Sequence, residues 1–115
     1  MSAIRTLRLV VLISGRGSNL QALLDQSASG GLSAEVVAVI SNQPGAYGLE
    51  RARRAGVPAL ELDHKHFVDR PGFEAALIEL IDRYQPDLVI LAGFMRLLTA
   101  DFTDHYQGRL LNIHP

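Results

Sequence analysis

The stretch Leu7–Ala28, LRLVVLISGRGSNLQALLDQSA, changes its hydrophobic period midway, and that change decides the fold. Leu7–Ile13 is a short, nearly continuous apolar run carrying valine and isoleucine. Serine and glycine follow it directly, which is the signature of a central strand buried on both faces. SGRGS is a turn. The segment NLQALLDQSA then sets Leu20, Leu23 and Leu24 on one helical face, and SGG ends that helix.

The same alternation continues along the chain. AEVVAVIS (Ala34–Ser41) predicts a second apolar strand, followed by the loop NQPGA. YGLERARRAG predicts a shorter helix closed by Gly56, where a residue without Cβ suits a left-handed cap. Pro58 opens the strand PALEL, a position that tolerates a missing N–H. Phe73, Leu77, Leu80, Ile81 and Tyr84 form one apolar stripe, with Pro71 just inside the helix start and Pro86 beyond its end. DLVILAG (Asp87–Gly93) is a further core strand. TADFTDHY gives a short helix with Thr99 as its cap, and RLLNI a fifth strand. Crossovers of this length require parallel strands with helices on both faces. The expected fold class is α/β, an open, mostly parallel Rossmann-like sheet, with residues 1–115 as one domain.

Bulk properties bound the function. Nearly half of the 115 residues (48%) are hydrophobic and 20% are charged, which supports an ordered core and excludes a disordered chain. A net charge of -1 supplies no basic field for nucleic acid. The absence of cysteine excludes disulfides and thiolate metal sites. Arg5 and Arg8 precede an apolar run too short for a signal core, and no stretch spans a bilayer. The expectation is a soluble, cytoplasmic protein without nucleic-acid or membrane partners.

In such sheets, ligands bind beyond the carboxyl ends of the strands. SGRGSN, SNQPG, AGFMR and NIHP leave those ends. In the first, Gly15 and Gly17 permit tight backbone geometry and close approach. Ser18 and Asn19 expose N–H groups, plus a hydroxyl and an amide, at a helix start, suited to phosphate. The alternative is an ordinary turn with a capping serine. Leu20 stands where a dinucleotide fingerprint needs its third glycine, no acid follows the second strand at Ser41–Asn42, and no Walker lysine is present. A monophosphate therefore fits better than NAD or ATP.

Asn112 and His114 share one face of the last strand. Histidine moves protons near neutral pH; asparagine offers an uncharged donor to an oxyanion. Both residues can equally satisfy backbone groups in a turn. In AGFMRLL, Phe94, Met95, Leu97 and Leu98 surround Arg96, forming either an apolar lip with one cation or plain core packing. Arg70, before a helix, is a second candidate cation for an anionic tail. His64 and His66 have no evident third metal ligand and are expected in solvent, and His105 is expected to be structural or exposed.

These residues resemble a known family. VVLISGRGSNLQALL, SNQPGAYGLERARRAG, DLVILAGFMRLL and GRLLNIHP look like the amino-terminal half of phosphoribosylglycinamide formyltransferases, from about Leu7 to Pro115. The resemblance implies that Gly17, Ser18 and Asn19 hold the phosphate of glycinamide ribonucleotide. It places Arg70, Met95, Arg96, Leu97, Leu98 and Asn112 in the site of the cosubstrate 10-formyltetrahydrofolate. It makes Asn112 and His114 catalytic, with no metal. It also implies an absent carboxyl-terminal half carrying a catalytic aspartate, an inactive 115-residue piece, and pairing with that half or with a second copy. The alternatives are a formyltransferase for another amine and a non-enzymatic phosphate-binding module.

Overall fold

A computed structural model describes residues 6–30 and 33–113; His114 lies outside the described residues. Five strands alternate with four helices: β1 (Leu7–Ile13), α1 (Ser18–Ser29), β2 (Ala34–Ser41), α2 (Tyr47–Arg54), β3 (Ala59–Glu61), α3 (Arg70–Asp82), β4 (Leu88–Ala92), α4 (Ala100–His105) and β5 (Leu110–Ile113). A short 3-10 turn, His64–His66, lies between β3 and α3. All strand pairs are parallel, in the order β3-β2-β1-β4-β5. This is the Rossmann-like architecture expected from the alternating pattern.

The continuous apolar run of β1 is explained by its central place. Leu9, Val11 and Ile13 pack with Leu20 and Leu24 of α1 and Leu49 and Ala52 of α2. Val10 and Leu12 face the other way, onto Phe73, Leu77 and Ile81 of α3, Phe102 of α4 and Tyr106 just beyond it. Each strand residue thus serves one of two cores, the period-2 alternation of a strand covered on both sides. Leu80 and Tyr84, assigned to the same stripe as Phe73, lie at the edge of the second core.

Several element boundaries differ from expectation for identifiable reasons. β3 keeps only three residues of PALEL, although Val39 N–H still donates to the Pro58 carbonyl and Leu62 N–H to the Ser41 carbonyl. β4 begins at Leu88 because Asp87 turns its carboxylate to the Arg8 N–H (2.8 Å). It ends at Ala92 because Gly93 adopts φ 75°, a left-handed conformation natural to glycine. Thr99 occupies the cap position of α4, but its side chain does not cap the helix. Its hydroxyl donates to the buried Glu74 carboxylate instead. Among the described residues no helix is long and apolar enough to cross a membrane.

Candidate active site

From β1 the chain runs outward through β2 to β3, then returns to place β4 on the other side of β1. The crevice beyond the ends of β1 and β4 is therefore the point where strand order reverses, the expected ligand position in an open parallel sheet. A cleft of about 410 Å³ lies there, lined by Ser14, the Gly15–Asn19 turn, Gln43, Ala92, Gly93 and Met95.

Its floor is the amino terminus of α1. Gly17 is the cap residue, at φ 76°, ψ 33°, and no acidic side chain stands in the first turn of the helix. The first-turn N–H groups, which have no acceptor within the helix, keep their positive end available to an anion. Gly17 also has a second cause. A Cβ there would stand 2.8 Å from the Gly48 Cα, and one on Gly48 would collide with Ile13 Cδ1. Two glycines let α2 press against the turn. Arg51 fastens this contact: its Nε donates to the Arg16 carbonyl (2.6 Å), and its guanidinium lies 5.0 Å from the Tyr47 ring centroid. Arg16 itself is exposed.

A buried polar seam runs beneath the cleft. Ser14 Oγ donates to Asn42 Oδ1 (2.5 Å) and accepts the Met95 N–H (2.7 Å). Asn42 Nδ2 lies 3.4 Å from His64 Nδ1. His64 is thereby drawn into the fold, half-buried and edge-on to Phe73, a correction to its expected place in solvent. Its burial follows from a polar partner on β2 that loop composition does not reveal. His66 is exposed, as expected. His105 is also exposed, with Nε2 2.9 Å from Asp82 Oδ2.

The loop after β4 combines both alternatives raised by AGFMRLL. Phe94 and Leu98 pack on the second core, whereas Met95 (82% exposed) and Leu97 (76%) project. The Arg96 guanidinium lies 5.8 Å from the Phe73 ring centroid, and its Nε is buried without a hydrogen-bond partner. Glu74, only 3% exposed, accepts both the Thr99 N–H (2.8 Å) and its hydroxyl (2.5 Å), anchoring the far end of the loop.

Gly17, Ser18, Asn19 and Met95 therefore share one cleft. Arg70 is exposed at the first residue of α3, the helix whose Phe73 lies beneath Arg96. Asn112 is exposed on β5, paired in register with Leu91 of β4, and does not line the cleft. Ser14, Asn42, Gly48, Arg51 and Glu74 escaped the motif reading. The available signals were polar residues ending apolar strands at Ser14 and Asn42, and a glycine in the first turn of a helix at Gly48. Among the described residues, no group of three or more histidine, aspartate or glutamate side chains is placed to hold a metal.

A parallel sheet with a helix amino terminus facing its switch point defines an α/β protein of Rossmann-like architecture, the positive end of α1 turned toward the crevice. More specifically, the chain belongs to the formyl transferase family, whose pattern it matches over residues 7–115. It is 51% identical over 109 residues to the phosphoribosylglycinamide formyltransferase of Escherichia coli, covering 95% of this chain and 51% of that protein. It is 50% identical over 113 residues to the trifunctional purine biosynthetic protein adenosine-3 of Drosophila melanogaster, covering 96% of this chain and 8% of that one. The fold superposes with a TM-score of 0.93 on glycinamide ribonucleotide transformylase 1 from Symbiobacterium toebii. That structure is 49% identical, with 98% of this chain and 53% of the other covered. The chain thus spans about half the length of its single-function relatives.

Proposed function

We propose that the parent protein transfers a formyl group from 10-formyltetrahydrofolate to the amine of glycinamide ribonucleotide, a step of purine biosynthesis. One observation carries this reading: a chain half identical to a phosphoribosylglycinamide formyltransferase keeps an anion-ready glycine turn at its switch-point cleft. The substrate phosphate would sit on the N–H groups of Gly17, Ser18 and Asn19. The formyl donor would lie along Met95–Leu98, its acidic tail near Arg70. The substrate amine attacks the formyl carbon, and the carbonyl electron pair moves onto oxygen. Asn112 donates a hydrogen bond to that oxyanion. His114 assists the proton on its way from the attacking amine to the departing folate nitrogen. Collapse of the intermediate breaks the old carbon–nitrogen bond, giving formylated ribonucleotide and tetrahydrofolate without a metal or an acyl-enzyme.

The 115-residue chain holds the phosphate turn but only part of this machinery. Misplacing reacting groups by about 1 Å costs on the order of 10²-fold in rate, so the chain alone binds ribonucleotide without turning it over. The test is a formyl-transfer assay on the full-length parent and on this chain, with and without a separately supplied carboxyl-terminal half. Formylated ribonucleotide from the parent, and from the chain only when supplemented, is the expected result. No product from the parent with glycinamide ribonucleotide, but product with an amino sugar or aminoacyl-tRNA, would reassign the acceptor. Full turnover by the chain alone would refute its dependence on further residues.

A further inference from the structure

Ser14 is the last residue before the glycine turn and is only 7% exposed. A hydroxyl has one proton to give, and here Asn42 Oδ1 takes it at 2.5 Å. The lone pairs of Oγ are thereby left to face the Met95 N–H, which donates at 2.7 Å. Asn42, 2% exposed, is itself tied to β1 through its N–H and the Ile13 carbonyl (3.3 Å). The polarity of the seam is thus fixed from β2 through β1 to the loop after β4. Met95 exposes its side chain to the cleft while its amide is held from below. Glu74 holds the same loop at Thr99, so the segment between Met95 and Thr99 is pinned at both ends.

We propose that Ser14 is a positioning residue, fixing the formyl-donor segment Met95–Leu98 relative to the glycine turn that takes the acceptor phosphate. This rests on the function proposed above. The Ser14 hydroxyl is committed to Asn42 and the Met95 amide rather than to a substrate. It acts through the direction of the Met95 amide and the height of the loop over the cleft. Alanine at position 14 would leave the part-buried Met95 N–H and Asn42 Oδ1 without their partner, and the loop would move to recover water.

The test compares the full-length parent with its Ser14→Ala and Ser14→Thr variants, thermal melting serving to verify folding. Ser14→Ala is expected to raise the KM for the formyl donor about tenfold, in line with one lost buried hydrogen bond, and to leave the ribonucleotide KM unchanged. Ser14→Thr keeps the hydroxyl and restores the donor KM. Amide hydrogen exchange at Met95 is expected to accelerate about tenfold in the alanine variant alone. An unchanged donor KM, or equal rises in both KM values, would overturn the proposal while leaving the formyl-transfer reading intact. A wild-type parent without formyl transfer would overturn that reading and the proposed role with it. Unchanged Met95 exchange in Ser14→Ala would refute the clasp itself, whatever the reaction.

Discussion

The crevice at β1 and β4 and the end of the neighbouring strand β5 both lie at the carboxyl side of the sheet, yet they are built on different physical terms. At the crevice every wall is braced: Gly17 against Gly48, Arg51 on the Arg16 carbonyl, Ser14 between Asn42 and Met95. At β5 the strand is paired on one side, and Leu111 (49% exposed) and Asn112 stand in solvent. A phosphate site needs only backbone amides and a helix end, which a short strand–turn–helix unit supplies locally. An oxyanion site needs a donor whose direction is fixed by neighbours on all sides, and for Asn112 the described residues provide few. The difference separates what one supersecondary unit can accomplish from what requires an assembled sheet.

The largest effects are expected at the β5 end. In the full-length parent, His114→Ala should lower kcat by roughly 10²–10⁴-fold, and Asn112→Ala by about 10²–10³-fold, both with a ribonucleotide KM close to wild type. Steady-state kinetics decide this. Near-native turnover in both variants would place the chemistry elsewhere and dissolve the contrast between a binding half and a reacting half.

A middle-sized effect belongs to the crevice. Gly17→Ala puts a side chain on a left-handed backbone, at about 1–2 kcal/mol, and drives its Cβ into the Gly48 backbone, adding about 1–3 kcal/mol. Chemical denaturation should show the stability loss, and calorimetry should show weakened ribonucleotide binding. A variant of wild-type stability would mean that the α2 contact yields easily and that the crevice is less braced than its geometry implies.

The smallest effect is expected at the opposite end of the sheet, which sharpens the comparison by standing outside it. Tyr106 is fully buried and donates to Asp82 Oδ1 (2.8 Å). Burial first, and the Asp82 carboxylate second, push its phenol well above the ordinary value. The unfolded chain releases this proton from about pH 10, while the folded chain holds it. The unfolded state then binds fewer protons, so stability falls as pH rises above that point. Tyr106→Phe should cost about 0.5–1.5 kcal/mol at neutral pH and flatten the decline in alkaline denaturation curves, with formyl transfer unchanged. An unaltered alkaline slope would assign the decline to other groups.

Legibility followed the same division. The two-period run Leu7–Ala28 announced strand, turn and helix because burial on both faces forces an unbroken apolar segment, and the helix stripe through Phe73, Leu77 and Ile81 was equally plain. Gly17 was visible as a turn residue, but its partner Gly48 was hidden, since contact between a turn and a helix 31 positions apart leaves no local pattern. Ser14, Asn42 and Glu74 were hidden for a related reason. Each is a polar residue whose partner is set by tertiary packing, and His64 looked like loop surface until Asn42 stood beside it. Phe94 and Leu98 could not be told from Met95 and Leu97 by composition, because only the course of the loop decides which side chains turn inward.

The pairing of β1 with β4 also governs the order in which the molecule can be made. Arg8 bonds to Asp87 across 79 positions of sequence, and its guanidinium holds the Tyr84 and Gln85 carbonyls. A nascent chain can therefore assemble β1, α1 and β2 early, but one side of its central strand stays bare until residue 88 and beyond have emerged. Closing so long a loop is slow compared with local helix formation. During that interval the buried central strand offers an unpaired edge, and the crevice does not yet exist. The crevice beyond β1 and β4 thus takes shape only at the moment β4 docks.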